Sequence, residues 1–164
     1  MTVLKGVNLT TVFLILAISG FGILAIFVQN SQLAAQQFLF FLFGLLIFFG
    51  ISTFDVRIFK DLAIFLWLVS LVLVFFVTFF GPETRGAHRW IELGFFRFQP
   101  VELAKPVVIL FLAKVLSNNS QGPGAALLKS IGIVVPLATL AFLQPDLGNA
   151  IIFIIIWFFA LFIA

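Results

Sequence analysis

Six long apolar runs divide this chain, and they limit what it can fold into more than any other feature. A hydrocarbon core about 30 Å thick takes roughly 17–25 helical residues to cross. The runs at residues 9–28, 38–53, 62–80, 100–116, 127–143 and from 149 to the C-terminus approach or reach that length, and charged or Gly/Pro/Asn breaks separate them. They are uniformly apolar instead of alternating, which excludes the strand pattern of an outer-membrane barrel. Composition agrees: 63% of the 164 residues are apolar and 9% charged, against about 45–50% and about 25% in a soluble domain. The expected fold is all-α, a polytopic transmembrane bundle of about six crossings. The first run exceeds a signal-peptide core of about 7–15 residues and is expected to stay as an anchor. The Phe-rich stretch at 38–49 reads as lipid-facing surface.

With no Cys and one His, disulfide frameworks, thiol catalysis and cysteine or multi-histidine metal sites are excluded. Nine Lys plus Arg against six Asp plus Glu give a formal +3. These charges lie between apolar runs and not on one solvated face, so nucleic acid is excluded as a partner and membrane lipid is expected. An inside N-terminus puts Lys5, Arg57, Lys60, Lys114 and Lys129 in the cytoplasm, against Arg85, Arg89 and Arg97 outside. That bias favours the arrangement and exposes segments 81–99 and 144–148 on the outer side. The apolar run continues to Ala164 without a polar exit, which predicts a longer protein.

Segment 81–99 is the long loop. It holds Glu83, Arg85, His88, Arg89, Trp90, Glu92 and Arg97 with Phe95, Phe96 and Phe98. Apolar and polar residues alternate on both sides of Leu93-Gly94-Phe95, predicting a short hairpin or an extended loop on the membrane surface. The aromatic residues would sit in the interface while the arginines stay available for phosphate. An ordinary aromatic belt with arginines on lipid headgroups fits as well as recognition of an anionic lipid-linked substrate. No carboxylate or second His is placed to orient His88, so it reads as an interfacial polar residue and not a catalyst.

Pro100 suits the first position of a helix. Glu102 and Lys105 then share a helical face at i and i+3, within ion-pair reach, about 3–8 Å past Pro100 by helical rise. Charge inside a membrane demands water or partners. An outward cavity answers that demand, and so does a structural salt bridge. Pro106 removes a further backbone donor. In the short turn 144–148, Asp146 suits a helix N-cap; the topology also places it near the membrane face that holds Glu102 and Lys105.

Three strings carry a resemblance: Arg89-Trp90-Ile91-Glu92-Leu93-Gly94, then Gln99-Pro100-Val101-Glu102-Leu103-Ala104-Lys105, then Gln144-Pro145-Asp146-Leu147-Gly148. In this order they resemble the signatures of the SEDS family of bacterial cell-envelope proteins, whose best-known members are RodA and FtsW. The likeness covers essentially all of residues 1–164 and is nearer the elongation branch, RodA, than the division branch. It implies about ten crossings in one membrane domain, of which residues 1–164 would be the N-terminal part.

The resemblance further implies polymerisation of glycan strands from lipid II, an undecaprenyl-pyrophosphate-linked precursor, on the outer face of the bacterial cytoplasmic membrane. A class B penicillin-binding transpeptidase is the implied protein partner. Arg89, Trp90, Gln99, Glu102, Lys105 and Asp146 match the family's loop and cavity positions. Arg89 and Lys105 would meet the anionic end of the substrate. Val101 stands where the family commonly has Ser. The family's catalytic Asp lies in a later loop, beyond residue 164, so catalysis by this stretch alone is not expected. No cofactor or metal site can be named from these residues; the intact enzyme could use a divalent cation. A precursor flippase and a nonenzymatic scaffold of the cell-wall machinery remain as alternatives.

Overall fold

The computed structural model describes residues 8–83, 86–94, 96–117 and 122–164. Lys5, Arg85 and Phe95, which entered the readings of sidedness and of the hairpin, lie outside them. In chain order the described elements are α1 (Leu9–Gln29), α2 (Ser31–Ser52), α3 (Val56–Phe80), β1 (Ile91–Glu92), β2 (Arg97–Phe98), α4 (Pro100–Leu116), α5 (Pro123–Leu143) and α6 (Leu147–Ile163). Six helices correspond to the six apolar runs.

Several helices start earlier than the apolar runs, and in α2 and α6 a capping side chain sets the start. Asn30 both closes α1 and opens α2: its N–H donates to the Ile26 carbonyl, and its side-chain oxygen accepts from the N–H groups of Gln32 and Leu33 at 2.9 and 3.0 Å. The polar stretch before Phe38 is therefore already helical. α3 takes in Arg57, Lys60 and Asp61 at its start, and α5 begins at Pro123, a residue suited to the first helical turn. α1, α2, α3 and α5 are long and apolar enough to cross a membrane. α6 is apolar and 17 residues long, and α4, of the same length, carries Glu102, Lys105 and Lys114. Seventeen residues span about 26 Å.

The chain forms two units, residues 1–56 and residues 57–164. In the first, α1 packs along α2 as a helical hairpin, with Ala34 as its buried residue among those described. A helix apolar all round and unburied by protein is suited to lipid.

In the second unit, α4, α5 and α6 pack on one another. Val101, Ala104, Val108 and Leu112 of α4 meet Val134, Leu137 and Ala141 of α5 and Phe153 of α6, with Val74 of α3 in the same core. Two indoles fasten the bundle. Trp67 of α3 donates to the Ile133 carbonyl at 3.0 Å, close to Pro136, whose missing N–H interrupts the α5 ladder. Trp157 of α6 donates to Ser130 Oγ at 2.9 Å.

The expected hairpin is present as β1 and β2, antiparallel, with Ile91 opposite Phe98 and Glu92 opposite Arg97. Leu93 N–H donates to the Phe96 carbonyl at 2.9 Å, and Gly94 takes φ of 75° in the turn, a conformation glycine adopts without a Cβ clash.

Candidate functional site

Polar side chains from the hairpin strand region, from the start of α4 and from the α5–α6 turn meet at one end of the second unit. Asp146 caps α6: its Oδ1 accepts from Asn149 N–H at 3.2 Å. Its Oδ2 accepts from Gln99 Nε2 at 3.0 Å and from Asn149 Nδ2 at 2.9 Å. Gln99 is the N-cap of α4 but makes no side-chain cap bond there; its amide is spent on Asp146, and the two helix starts are thereby joined.

Lys105 lies one turn into α4. Its Nζ donates to Glu102 Oε1 at 2.8 Å and to Asn149 Oδ1 at 3.0 Å, and Glu102 Oε2 is also 2.8 Å away. The network thus runs from Glu102 through Lys105 and Asn149 to Asp146 and Gln99. Exposure is graded along it: the Glu102 side chain is 54% exposed, Lys105 19% and Asp146 13%. Pro106 has no N–H to give the Glu102 carbonyl, its partner four residues back.

Arg89 enters from the loop. Its Nε donates to the Gln144 carbonyl at 2.9 Å and its Nη2 donates to the Pro145 carbonyl, while Nη1 stands 3.8 Å from Asp146 Oδ2. A guanidinium has five N–H donors, so donors remain on Nη1. Arg97 pairs with Glu92 across the hairpin at 3.1 Å, both side chains being about half exposed. Of the described loop arginines, Arg97 is thus paired with an exposed carboxylate and Arg89 keeps its Nη1 donors for a phosphate. The strand register puts a carboxylate opposite Arg97, and Arg89 is spent largely on the turn.

Of the six residues singled out from sequence, Arg89, Gln99, Glu102, Lys105 and Asp146 fall within this network. Trp90 is half-buried beside it and joins none of its described hydrogen bonds. His88 lies elsewhere: Nδ1 is 2.7 Å from the Gly81 carbonyl, an oxygen that can only accept, so Nδ1 carries the proton and the loop is tied back to the end of α3. A Cβ at Gly81 would sit 2.5 Å from the Val77 carbonyl, so that position needs glycine.

Two residues escaped the sequence reading. Asn149 bridges Lys105 to Asp146, and its signal was an amide three residues after a capping Asp at the head of an otherwise apolar helix. Gln144 is fully buried; its Nε2 donates to Thr78 Oγ1 at 2.9 Å, while Oε1 has no partner. An apolar groove of about 450 Å3 runs between α5 and α6, lined in part by Leu147, Ala150, Ile154 and Trp157. It begins beside the residues that cap α6. Among the described residues, no three His, Asp or Glu side chains gather where they could hold a metal ion.

Known proteins are similar to this chain in sequence and in fold. The family model for cell cycle proteins of the FtsW, RodA and SpoVE type matches residues 1–164. The peptidoglycan glycosyltransferase MrdB of Escherichia coli K12 is 34% identical over 125 residues, which are 74% of this chain and 33% of that protein. The peptidoglycan glycosyltransferase RodA of Treponema pallidum is 30% identical over 159 residues, 91% of this chain and 36% of the relative. The chain therefore spans about a third of the length of these curated relatives. The crystal structure of the rod shape determining protein RodA of Thermus thermophilus superposes with a TM-score of 0.84 at 32% identity, over 91% of this chain and 50% of that one. A chain from a peptidoglycan synthase complex that coordinates polymerization and crosslinking gives 0.83 at 32% identity, over 92% and 45%. A family match over the whole sequence, its signature strings and the fold converge: the chain is a multi-pass membrane protein and belongs to the FtsW/RodA/SpoVE family, the SEDS proteins.

Proposed function

We propose that residues 1–164 are the N-terminal part of a SEDS-type glycosyltransferase domain and supply part of the site that binds lipid II, the precursor of peptidoglycan glycan strands. The observation that carries this reading is the network joining Arg89, Gln99, Glu102, Lys105 and Asp146 at one end of a membrane bundle, where buried charge is costly unless it serves a ligand or is fully paired. Trp90 flanks it at the interface.

In the proposed reaction a sugar hydroxyl oxygen attacks the anomeric carbon of a second precursor. The bond from that carbon to the diphosphate oxygen breaks, the lipid diphosphate leaves with the electron pair, and the hydroxyl proton passes to a carboxylate base. Lys105 meets the leaving diphosphate, and the Nη1 donors of Arg89 add to the positive field that offsets its growing charge. Asp146 accepts three N–H bonds and is suited to holding the site, not to taking the proton. The base is a carboxylate outside residues 1–164. The apolar groove from Leu147 and Ala150 along α6 suits a prenyl chain.

This end of the bundle faces the outside of the bacterial cytoplasmic membrane and the N-terminus faces the cytoplasm, an assignment supported by the bias of basic residues. A penicillin-binding transpeptidase is the proposed partner, supported by the neighbour from a peptidoglycan synthase complex. The test is polymerisation of lipid II by the purified protein that carries this chain. Lys105→Ala and Arg89→Ala should each slow product formation at least about tenfold, the loss of one charge-stabilising contact, while Lys129→Ala leaves it unchanged. Full activity in both variants, or lipid movement between leaflets with no glycan product, would overturn the assignment.

A further inference from the structure

Helix α6 contains one amide side chain, Asn149, and no charged one. It is 8% exposed. Burying an amide beside lipid costs free energy unless both of its ends are bonded, and here both are: Oδ1 accepts from Lys105 Nζ at 3.0 Å, and Nδ2 donates to Asp146 Oδ2 at 2.9 Å. Turning the amide over would set its NH2 against an ammonium and its oxygen against a carboxylate. The flanking charges therefore fix its orientation.

Lys105 is held from two sides that differ in kind. Glu102, on its own helix, is more than half exposed and can turn into water when another anion arrives. Asn149, on a different helix, cannot leave without also abandoning Asp146. We infer that Asn149 is a positioning residue: it is the fixed half of the Lys105 coordination, holding the ammonium beside the exposed Glu102 and tying its position to the α5–α6 turn. This deepens, and rests on, the reading of Lys105 as the diphosphate contact.

Two measurements on the full chain in lipid nanodiscs test it. The first is labelling of the Lys105 amine by an acylating reagent at fixed pH, read by mass spectrometry. Asn149→Leu, close in volume, removes the acceptor and should speed labelling about tenfold, as expected for losing a hydrogen bond to a charged group. Asn149→Asp keeps an acceptor oxygen and should label no faster than the native chain. A role in packing alone predicts no difference between the two variants, and that result, or unchanged labelling in Asn149→Leu, would overturn the inference.

The second is binding of inorganic pyrophosphate. Lys105→Ala and Asn149→Leu should each weaken it, and the double variant should be no weaker than Lys105→Ala. Multiplying losses would show that Asn149 acts independently and would also overturn the inference. Undiminished binding in Lys105→Ala would instead remove the diphosphate reading, with the labelling result still deciding whether Asn149 positions the amine.

Discussion

Replacing Asp146 with Ala removes three hydrogen bonds at once, and the geometry sets the size of the loss. The cap bond from Asn149 N–H to Oδ1 is 3.2 Å long, and losing such a cap costs about 1 kcal/mol. Oδ2 also gives up Gln99 at 3.0 Å and Asn149 at 2.9 Å; side-chain bonds within membrane proteins contribute about 0.6 to 1.7 kcal/mol each. The Asp146 side chain is 13% exposed, so water replaces little there, and the total comes to about 3 kcal/mol. Asp146→Asn keeps the cap oxygen but replaces Oδ2 with an NH2 that can accept neither of its two bonds, and should cost about 2 kcal/mol. Equilibrium unfolding in mixed detergent micelles, followed by the fluorescence of Trp67 and Trp157, measures both. An Asp146→Ala cost within about 0.5 kcal/mol of zero, the range of ordinary surface changes, would refute the network as a structural joint. An Asp146→Asn cost within the same range of zero would refute the role assigned to the second carboxylate oxygen.

Gln144→Leu should cost no more than about 1 kcal/mol despite full burial, since the lost amide leaves Thr78 still bonded to Val74 and removes an oxygen that has no partner; unfolding in the same micelles checks it. Phe153→Ala, at a wholly buried position where the helices of the second unit meet, should cost about 3 kcal/mol or more through the cavity it opens. Glu92→Ala removes an exposed pair with Arg97 and should change stability by less than about 0.5 kcal/mol, with no effect on pyrophosphate binding.

What the sequence disclosed followed from strong physical signals. Hydrocarbon thickness fixes helix length, so the six helices could be counted from apolar runs, and Pro100 marked the start of α4 to the residue. Helix starts hidden in polar segments were harder to place: α2 begins seven residues before Phe38 because Asn30 caps it, which hydropathy does not register. The hairpin was legible because alternation around Gly94 is a local signal. The site was legible in part. Glu102 and Lys105 share a face by helical spacing alone, whereas their link to Asp146 runs through Asn149, on a helix more than forty residues away in sequence, and no local pattern encodes that distance. The engagement of Arg89 with the carbonyls of Gln144 and Pro145 was equally hidden, since backbone acceptors leave no mark in side-chain chemistry.

The account depends on Glu102, Lys105 and Asp146 opening together toward water at one membrane face, and thiol labelling reads this directly. Residues 1–164 contain no cysteine, so within them a cysteine placed at 102 is the sole target of a membrane-impermeant maleimide in oriented proteoliposomes, any thiol elsewhere in the protein being replaced beforehand. Glu102→Cys should react from the same side as Glu92→Cys, pyrophosphate should slow that reaction, and Lys129→Cys should react from the opposite side, since position 129 lies about 22 Å along α5 from the turn at the 1.5 Å rise of a helix. Reaction of Glu102→Cys from the side of Lys129→Cys, or no reaction from either side, would contradict the account.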